Sequence, residues 1–95
     1  MFNALIVDDE EIICNSIAAS IDWAAFGIKL LGTCPDGVEA YHTILDECPD
    51  IVLTDIRMPG ISGLDLVERI SRTDLPVHFI ILSGYGEFEY AKRAM

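Results

Sequence analysis

The stretch "LIVDDEE", residues 5–11, places four carboxylates directly after a continuous apolar run. A short apolar run of this kind predicts a buried strand, which we assign to "ALIVD" at residues 4–8. The carboxylates repel one another at the point where this strand ends, so the local chemistry favours a cation at that place. They belong to Asp8, Asp9, Glu10 and Glu11.

Composition limits the classes of protein that the chain can represent. A length of 95 residues suits one domain, here residues 1–95, and 52% hydrophobic residues predict a folded core despite the net charge of −10. Sixteen acidic residues against six basic ones repel nucleic acid and anionic membranes, and they favour metal cations or basic partner surfaces. Direct binding of DNA by this segment is therefore not expected.

Cysteine usage and the N-terminus indicate the compartment. The three cysteines are odd in number and lack C-x-x-C spacing, which favours reduced thiols in the core over disulfides or a zinc site. These residues are Cys14, Cys34 and Cys48. The first residues, "MFNALIVDD", lack the basic start of a signal peptide and become charged too early for a membrane span. The expectation is a cytoplasmic protein without a membrane anchor.

Three further apolar runs predict strands, and helical stripes separate them. The strands are "IKLLGTC" (28–34), "DIVLTD" (50–55) and "VHFIIL" (77–82). A first helix is indicated by the spacing of Ile13, Ile17 and Ile21.

Two more helices have recognisable starts. Asp36 opens a D-x-x-E capping box, and Ser62 is typical of an N-cap. Apolar spacing predicts that the second helix buries Val38, Tyr41, Leu45 and Cys48. It predicts that the third buries Leu66, Val67 and Ile70. A fourth helix is expected to begin near Gly86.

Strands that are apolar on both sides and separated by single helices predict an α/β fold with a parallel sheet covered on both faces. In a right-handed doubly wound sheet of order 2-1-3-4, strands 1 and 3 are neighbours, and the order reverses between them. Asp8 and Asp9 end strand 1, and Asp55 ends strand 3, so the three carboxylates should converge at the switch point. A hard cation with oxygen ligands fits such an open site, and Mg²⁺ fits better than Ca²⁺.

Three segments carry a resemblance to a known family. "VDDE" after strand 1, "LTDIRMPGISG" after strand 3 and "ILSGYGEFEYA" across strand 4 resemble the receiver domain of bacterial two-component response regulators. The resemblance covers all 95 residues with their spacing intact, and it implies a flavodoxin-like fold. The segment "IDWAAFGI" is similar to receivers fused to AraC-type helix-turn-helix outputs in Gram-positive bacteria.

The resemblance implies a role for each site residue. Asp55 is the implied phosphoacceptor, which takes a phosphoryl group from the phosphohistidine of a sensor histidine kinase or from a small acyl phosphate. Asp9 and Asp55 would bind Mg²⁺ through their side chains, Arg57 through its backbone carbonyl, and Asp8 through a coordinated water. Ser83 would donate a hydrogen bond to a phosphoryl oxygen and act as the switch.

Neighbouring residues complete the implied site. Pro59 restricts φ in the loop after strand 3, and Gly60 and Gly63 permit turns or close backbone approach beside the crevice. Arg57 and Tyr85 each stand two residues beyond a site residue, at positions that in similar receivers tune the lifetime of the phosphoryl group. The implied function is a signalling domain, not an enzyme, that contacts DNA only through an output domain outside this chain.

One departure from the family pattern is large. Receivers normally continue through a fifth strand, which carries a lysine and an aromatic switch residue, and then a fifth helix. The only lysines here are Lys29 and Lys92, and neither can take that place. We therefore expect a receiver that is truncated at its C-terminus, and self-association through the uncovered strand 4 or helix 4.

Two alternatives belong to other functional classes. A phosphatase of the haloacid dehalogenase type also uses a strand-end Asp and magnesium, but it expects D-x-D-x-[TV] where this chain has "VDDEE". An inert receiver-like interaction module is the second alternative. The intact acids argue against it, and the missing lysine argues for it.

Overall fold

Strands and helices alternate in the order that the sequence predicts. The computed structural model describes residues 1–82. Its strands are β1 (Phe2–Val7), β2 (Ile28–Cys34), β3 (Ile51–Asp55) and β4 (His78–Leu82). Its helices are α1 (Glu11–Ser20), α2 (Gly37–Glu47) and α3 (Gly63–Ser71), and a 3-10 helix at Trp23–Phe26 joins α1 to β2. The fourth helix predicted near Gly86 lies outside the described residues.

The four strands form one parallel sheet of order β2-β1-β3-β4. Val7, at the end of β1, pairs with Cys34 on one side and with Thr54 on the other. Chain order reverses between β1 and β3, so the crevice at their carboxyl ends is the switch point of a doubly wound fold. The predicted α/β class, strand order and flavodoxin-like topology are confirmed.

Core residues lie on both faces of the sheet because successive side chains of a strand point to opposite sides. On one face, Leu5 and Val7 of β1 pack with buried residues of α2 and α3. On the other face, Ala4 and Ile6 pack with Cys14 of α1. Helices therefore cover both faces, as the apolar strands predict. Each buried leucine, isoleucine or valine contributes roughly 1.5–3 kcal/mol of transfer free energy.

Both predicted helix caps are present. The Asp36 carboxylate accepts a hydrogen bond of 2.8 Å from the Glu39 N–H at the start of α2. The Ser62 hydroxyl accepts one of 3.1 Å from the Asp65 N–H at the start of α3. Each cap satisfies a backbone donor that the first helical turn leaves without a partner. These caps fix where the two helices begin, directly after the loops at the carboxyl edge of the sheet.

The predicted buried face of α2 is partly wrong. Ala40 and Ile44 are the fully buried side chains of this helix, and Tyr41 is half-buried against the same core. Val38 and Leu45 are 48% and 39% exposed. The helix carries two apolar stripes with similar spacing. The sequence pattern predicted burial of the stripe that contains Val38 and Leu45. The stripe that faces the core begins at Gly37, where the backbone of Ile61 leaves no space for a side chain.

The cysteine prediction holds for two of the three residues. Cys14 and Cys34 are buried, and burial raises the pKa of both thiols, which keeps them neutral and weakly nucleophilic. Cys48 is exposed, contrary to prediction, because it caps α2 in the left-handed region, with φ of 48°. In α3, Leu66 and Ile70 are buried as predicted, whereas Val67 is half-buried.

The β4 edge is apolar and partly open. Within residues 1–82, β4 pairs with β3 alone. Ile80 is 50% exposed and Ile81 is 36% exposed. No helix in this range has the length and apolarity that crossing a bilayer requires.

Candidate functional site

Strand register brings the predicted acids together. Val7 and Thr54 are partners across β1 and β3, so Asp8 and Asp55, the next residues of each chain segment, emerge side by side. Carboxylate oxygens of Asp8, Asp9 and Asp55 all lie within 4.8 Å of one another. The predicted convergence of the three acids at the carboxyl edge is thus present.

Asp8 is the most enclosed of the three acids. It is 3% exposed, and its backbone N–H donates to the Cys34 carbonyl at 3.1 Å. Its side chain accepts from the Glu10 N–H at 2.9 Å, and its carbonyl accepts from the Cys14 thiol at 3.5 Å. These contacts from β2 and α1 hold the residue in one orientation.

Burial raises the pKa of the Asp8 carboxyl above its ordinary range. The negative charges of Asp55 and Asp9 raise it further, and the hydrogen bond from the Glu10 N–H opposes the shift. A positive charge at the cluster would oppose this rise in pKa, because it stabilises the ionised form of each carboxyl.

Asp9 makes the site accessible. Its side chain is exposed, in the turn between β1 and α1. It lines a groove of about 450 Å³ together with the loop after β3, and another of about 360 Å³ beside Cys14 and Thr33. The carboxylate cluster therefore has buried acids at its base and an open side that can admit a hydrated ion and a second reactant.

Asp55 ends β3 and is 9% exposed. Its carboxylate oxygen Oδ1 accepts a hydrogen bond of 2.8 Å from the Ile56 N–H, which restricts rotation of the carboxyl group. The loop that follows returns to this point, since the Gly63 N–H donates to the Ile56 carbonyl at 2.8 Å. Arg57 lies on the exposed side of this loop and lines the 450 Å³ groove with Asp9.

Two predicted residues, Ser83 and Tyr85, lie outside the described residues. The residue before Ser83 is described, and it is Leu82, the Cα partner of Asp55 across β3 and β4. The end of β4 thus lies beside the end of β3 at the same edge of the sheet.

Sequence reasoning missed several residues that hold the site in place. Cys14 and Cys34 contact the backbone of Asp8, and Met58 buries its side chain in the core from the middle of an exposed loop. The signal for Met58 was present, since a large apolar residue stands alone between Arg57 and Pro59. The contacts of the two cysteines had no sequence signal, because they depend on how closely β2 and α1 pack beside Asp8.

Fold and site define an α/β domain of the doubly wound class with an acidic site at its switch point. Comparison with known families specifies it further: the response regulator receiver domain matches residues 4–95. The chain belongs to the response regulator receiver domain family. This assignment agrees with the resemblance carried by the motifs and removes the phosphatase alternative.

Relatives and solved structures point to transcriptional regulators. The chain is 47% identical over 95 residues to the transcriptional regulatory protein YesN of Bacillus subtilis, of which it covers 26%. It is 44% identical over 92 residues to the transcriptional regulatory protein HptR of Staphylococcus aureus, of which it covers 36%. The chain therefore spans about a quarter to a third of the length of these curated relatives.

Two solved structures share the fold closely. The receiver domain of AraT from Geobacillus stearothermophilus has a TM-score of 0.84 and 39% identity, with 98% of this chain and 72% of that chain covered. A two-component transcriptional regulator AraC from Clostridium phytofermentans has a TM-score of 0.83 and 35% identity, with 100% and 74% covered. The predicted similarity to receivers of AraC-type regulators is confirmed.

Family membership supports the general class of function. The chain is a receiver domain of the kind found in transcriptional response regulators, and such domains serve in signalling. Receiver domains of transcriptional regulators interact with histidine kinases and with DNA-binding output domains. They typically bind Mg²⁺ at an acidic pocket, and Asp8, Asp9 and Asp55 form an acidic cluster here.

Proposed function

We propose that this chain accepts a phosphoryl group on Asp55 from a sensor histidine kinase, in a reaction that requires Mg²⁺, and so controls a transcriptional output domain. The observation that carries the proposal is the approach of Asp8, Asp9 and Asp55 to within 4.8 Å at the switch point of a receiver fold. Like charges held this close in a partly buried site need a cation to coexist in ionised form.

The donor set fits Mg²⁺. All three side chains offer carboxylate oxygens, the ligands that this hard cation prefers, and exposed Asp9 leaves positions for water and for a phosphoryl oxygen. Asp9 and Asp55 would hold the ion by side chain, with the Arg57 carbonyl as a further ligand and Asp8 acting through a coordinated water. Bound Mg²⁺ would offset the charge of the acids and of the phosphoryl oxygens.

Residues of the chain itself provide the nucleophile and hold it in position. A carboxylate oxygen of Asp55 attacks the phosphorus of the phosphohistidine, the P–N bond breaks, and the imidazole leaves with the bonding electron pair. The Ile56 N–H keeps the Asp55 carboxyl in a fixed rotation, which favours an in-line approach. We class the domain as a phosphoacceptor that assists its own phosphorylation and dephosphorylation, not as an enzyme with a separate substrate.

Ser83 completes the proposed site. It directly follows Leu82, the residue paired with Asp55, which supports a place for its hydroxyl near a phosphoryl group on Asp55. The hydroxyl would donate to a phosphoryl oxygen and draw the segment after β4 inward, so that phosphorylation is reported at the surface. Tyr85 and Arg57 would tune how long the phosphoryl group persists.

The proposed partners follow from this role. A sensor histidine kinase supplies the phosphoryl group, and DNA is contacted through an output domain, because the net charge of −10 disfavours direct contact. The proposed setting is the cytoplasm, with residues 1–95 acting as one domain. Self-association through the β4 side is proposed as well, since Ile80 and Ile81 are exposed there.

Phosphorylation of the chain by acetyl phosphate tests the proposal. With Mg²⁺ present, intact-mass spectrometry should detect a gain of one phosphoryl group on the parent chain and none on Asp55→Asn. Asp46→Asn removes an exposed acid of α2 remote from the site and should behave as the parent, which controls for net charge. Beryllofluoride should likewise give an adduct that needs Asp55. No adduct in either experiment would identify an inert interaction module instead.

A further inference from the structure

Two glycines begin α2 and α3, and neither is required by backbone conformation. Gly37 is the first residue of α2, Gly63 is the first residue of α3, and both are buried. In the described part of the chain, the glycines with positive φ are Gly27, Gly32 and Gly60. Alanine would suit the first turn of a helix better than glycine does, so another reason must exclude a side chain at residues 37 and 63.

That reason is space. A Cβ atom on Gly63 would overlap the backbone carbonyl oxygen of Asp55 and lie 3.2 Å from the Cα atom of Ile56. A Cβ atom on Gly37 would overlap the carbonyl oxygen of Ile61 and lie 2.8 Å from its Cβ atom. Because each glycine meets backbone, no rotamer change relieves the overlap, and the loop itself would have to move.

Both contacts fall on the last residue of β3 and on the loop that follows it, residues 56–62, which leads from the phosphoacceptor strand to α3. Gly63 packs against the start of the loop and also donates its N–H to the Ile56 carbonyl at 2.8 Å. Gly37 packs against its end at Ile61. Between these points, Met58 is anchored in the core. The loop is thus held by backbone packing at both ends and by one buried side chain in the middle.

We propose that Gly63 and Gly37 are positioning residues for the phosphoacceptor site. Their missing side chains let α3 and α2 close on the backbone of Asp55 and Ile61, and this packing sets the position of the Asp55 carboxyl and of the Arg57 backbone. The inference rests on the proposed role of Asp55. It extends that role to two residues that contact neither metal nor phosphoryl group.

The proposal predicts a graded loss of site function. Gly63→Ala should weaken Mg²⁺ affinity by about 10- to 100-fold, the range seen when residues that orient metal ligands are changed, and should slow phosphorylation by acetyl phosphate in parallel. Gly37→Ala should cause a smaller loss in the same direction, since Ile61 lies at the far end of the loop from Asp55. NMR titration with MgCl₂ and intact-mass time courses measure the two quantities.

Gly27→Ala is the matched control for general destabilisation. Gly27 has φ of 69°, so alanine strains the backbone there, but nothing lies within 4 Å of a Cβ atom at that position. The residue follows the 3-10 helix and accepts a hydrogen bond from the Phe2 N–H, at the edge of the sheet opposite the carboxylates. Gly27→Ala should lower the melting temperature and leave Mg²⁺ affinity and phosphorylation rate unchanged.

The outcomes separate this inference from the proposed function. A folded Gly63→Ala chain with the Mg²⁺ affinity and phosphorylation rate of the parent would overturn the inference. The inference would also fail if Gly27→Ala, at the same stability as Gly63→Ala, lost as much Mg²⁺ affinity and phosphorylation rate. If Gly63→Ala does not fold, Gly37→Ala provides the test. A Gly37→Ala chain with the Mg²⁺ affinity and phosphorylation rate of the parent would then refute a positioning role for these glycines. A parent chain that neither binds Mg²⁺ nor accepts a phosphoryl group would instead overturn the proposed function, and the inference with it.

Discussion

Carboxylate oxygens of Asp8 and Asp55 lie within 4.8 Å of each other, at the ends of neighbouring strands and with little exposure to solvent. Two full negative charges at this separation repel by roughly 3 kcal/mol at an effective dielectric constant of 20. The fold accepts this repulsion at a place where neutral side chains would pack at lower cost. Its metal-free stability and its response to cations should therefore be linked through the same residues.

Replacing Asp9, the exposed acid of the cluster, should separate metal-free stability from the response to cations. Asp9→Asn should abolish the rise in melting temperature that MgCl₂ gives the parent, because a proposed ligand is lost. Metal-free stability should stay unchanged or rise, since one like charge leaves the cluster. Thermal melts with and without MgCl₂ test this, with Asp46→Asn as the control for net charge. An Asp9→Asn chain that responds to MgCl₂ as the parent does would disprove the assignment of Asp9.

Asp8 should make stability depend on pH in the direction that its raised pKa requires. The folded chain holds this proton to higher pH than the unfolded chain, whose carboxyl titrates near the ordinary value of 3.8. The stabilisation that this proton gives the folded chain is complete below pH 3.8. It is lost as pH rises through the raised pKa of Asp8 in the folded state. Asp8→Asn should therefore gain stability relative to the parent across that interval in the presence of EDTA.

Urea midpoints of both chains at a series of pH values measure this difference. Asp46→Asn again controls for the loss of one charge. Parallel pH profiles for the parent and Asp8→Asn would show that Asp8 is not the group responsible.

Ser83→Ala should separate phosphorylation from its readout. The hydroxyl acts after the phosphoryl group arrives, so the mass gain on Asp55 should persist while the chemical-shift changes beyond β4 become smaller. NMR spectra of the beryllofluoride adduct, compared between parent and variant, report the readout. Full-sized shift changes in Ser83→Ala would exclude Ser83 as the switch.

The left-handed cap of α2 offers a test away from the site. Cys48 has φ of 48° and ψ of 57°, a conformation that favours glycine, and its side chain is exposed. Cys48→Gly should therefore raise the free energy of unfolding by about 0.5–1 kcal/mol. Cys48→Ala, which keeps the Cβ atom, should match the parent in the same urea titration. Equal stability of the two variants would contradict the strain argument.

The open β4 edge should promote association of the chain. Ile80 and Ile81 are exposed on a strand that pairs with β3 alone within residues 1–82. Light scattering across a dilution series should detect species larger than a monomer at high micromolar concentration, and Ile80→Lys should reduce them. Ile12→Lys, at an 81% exposed position on α1, is the control and should have no effect. A strictly monomeric parent with protected β4 amides would refute this prediction.

Residue patterns were enough to predict the strand order and the convergence of Asp8, Asp9 and Asp55. Hydrophobic periodicity identifies each strand, the handedness of parallel connections restricts the order, and the carboxyl ends of such strands meet at one edge. The caps at Asp36 and Ser62 were predictable as well, because a cap is a contact within one turn.

The buried face of α2 and the contacts that hold the site depend on tertiary packing. Two apolar stripes on α2 cannot be told apart by their spacing, and packing against the sheet and α3 buries Ala40 and Ile44. Close packing of Gly63 on Asp55, and of Cys14 and Cys34 on Asp8, brings together residues of different secondary-structure elements. Such contacts arise from the shape of the space between elements, which no local pattern of residue types encodes.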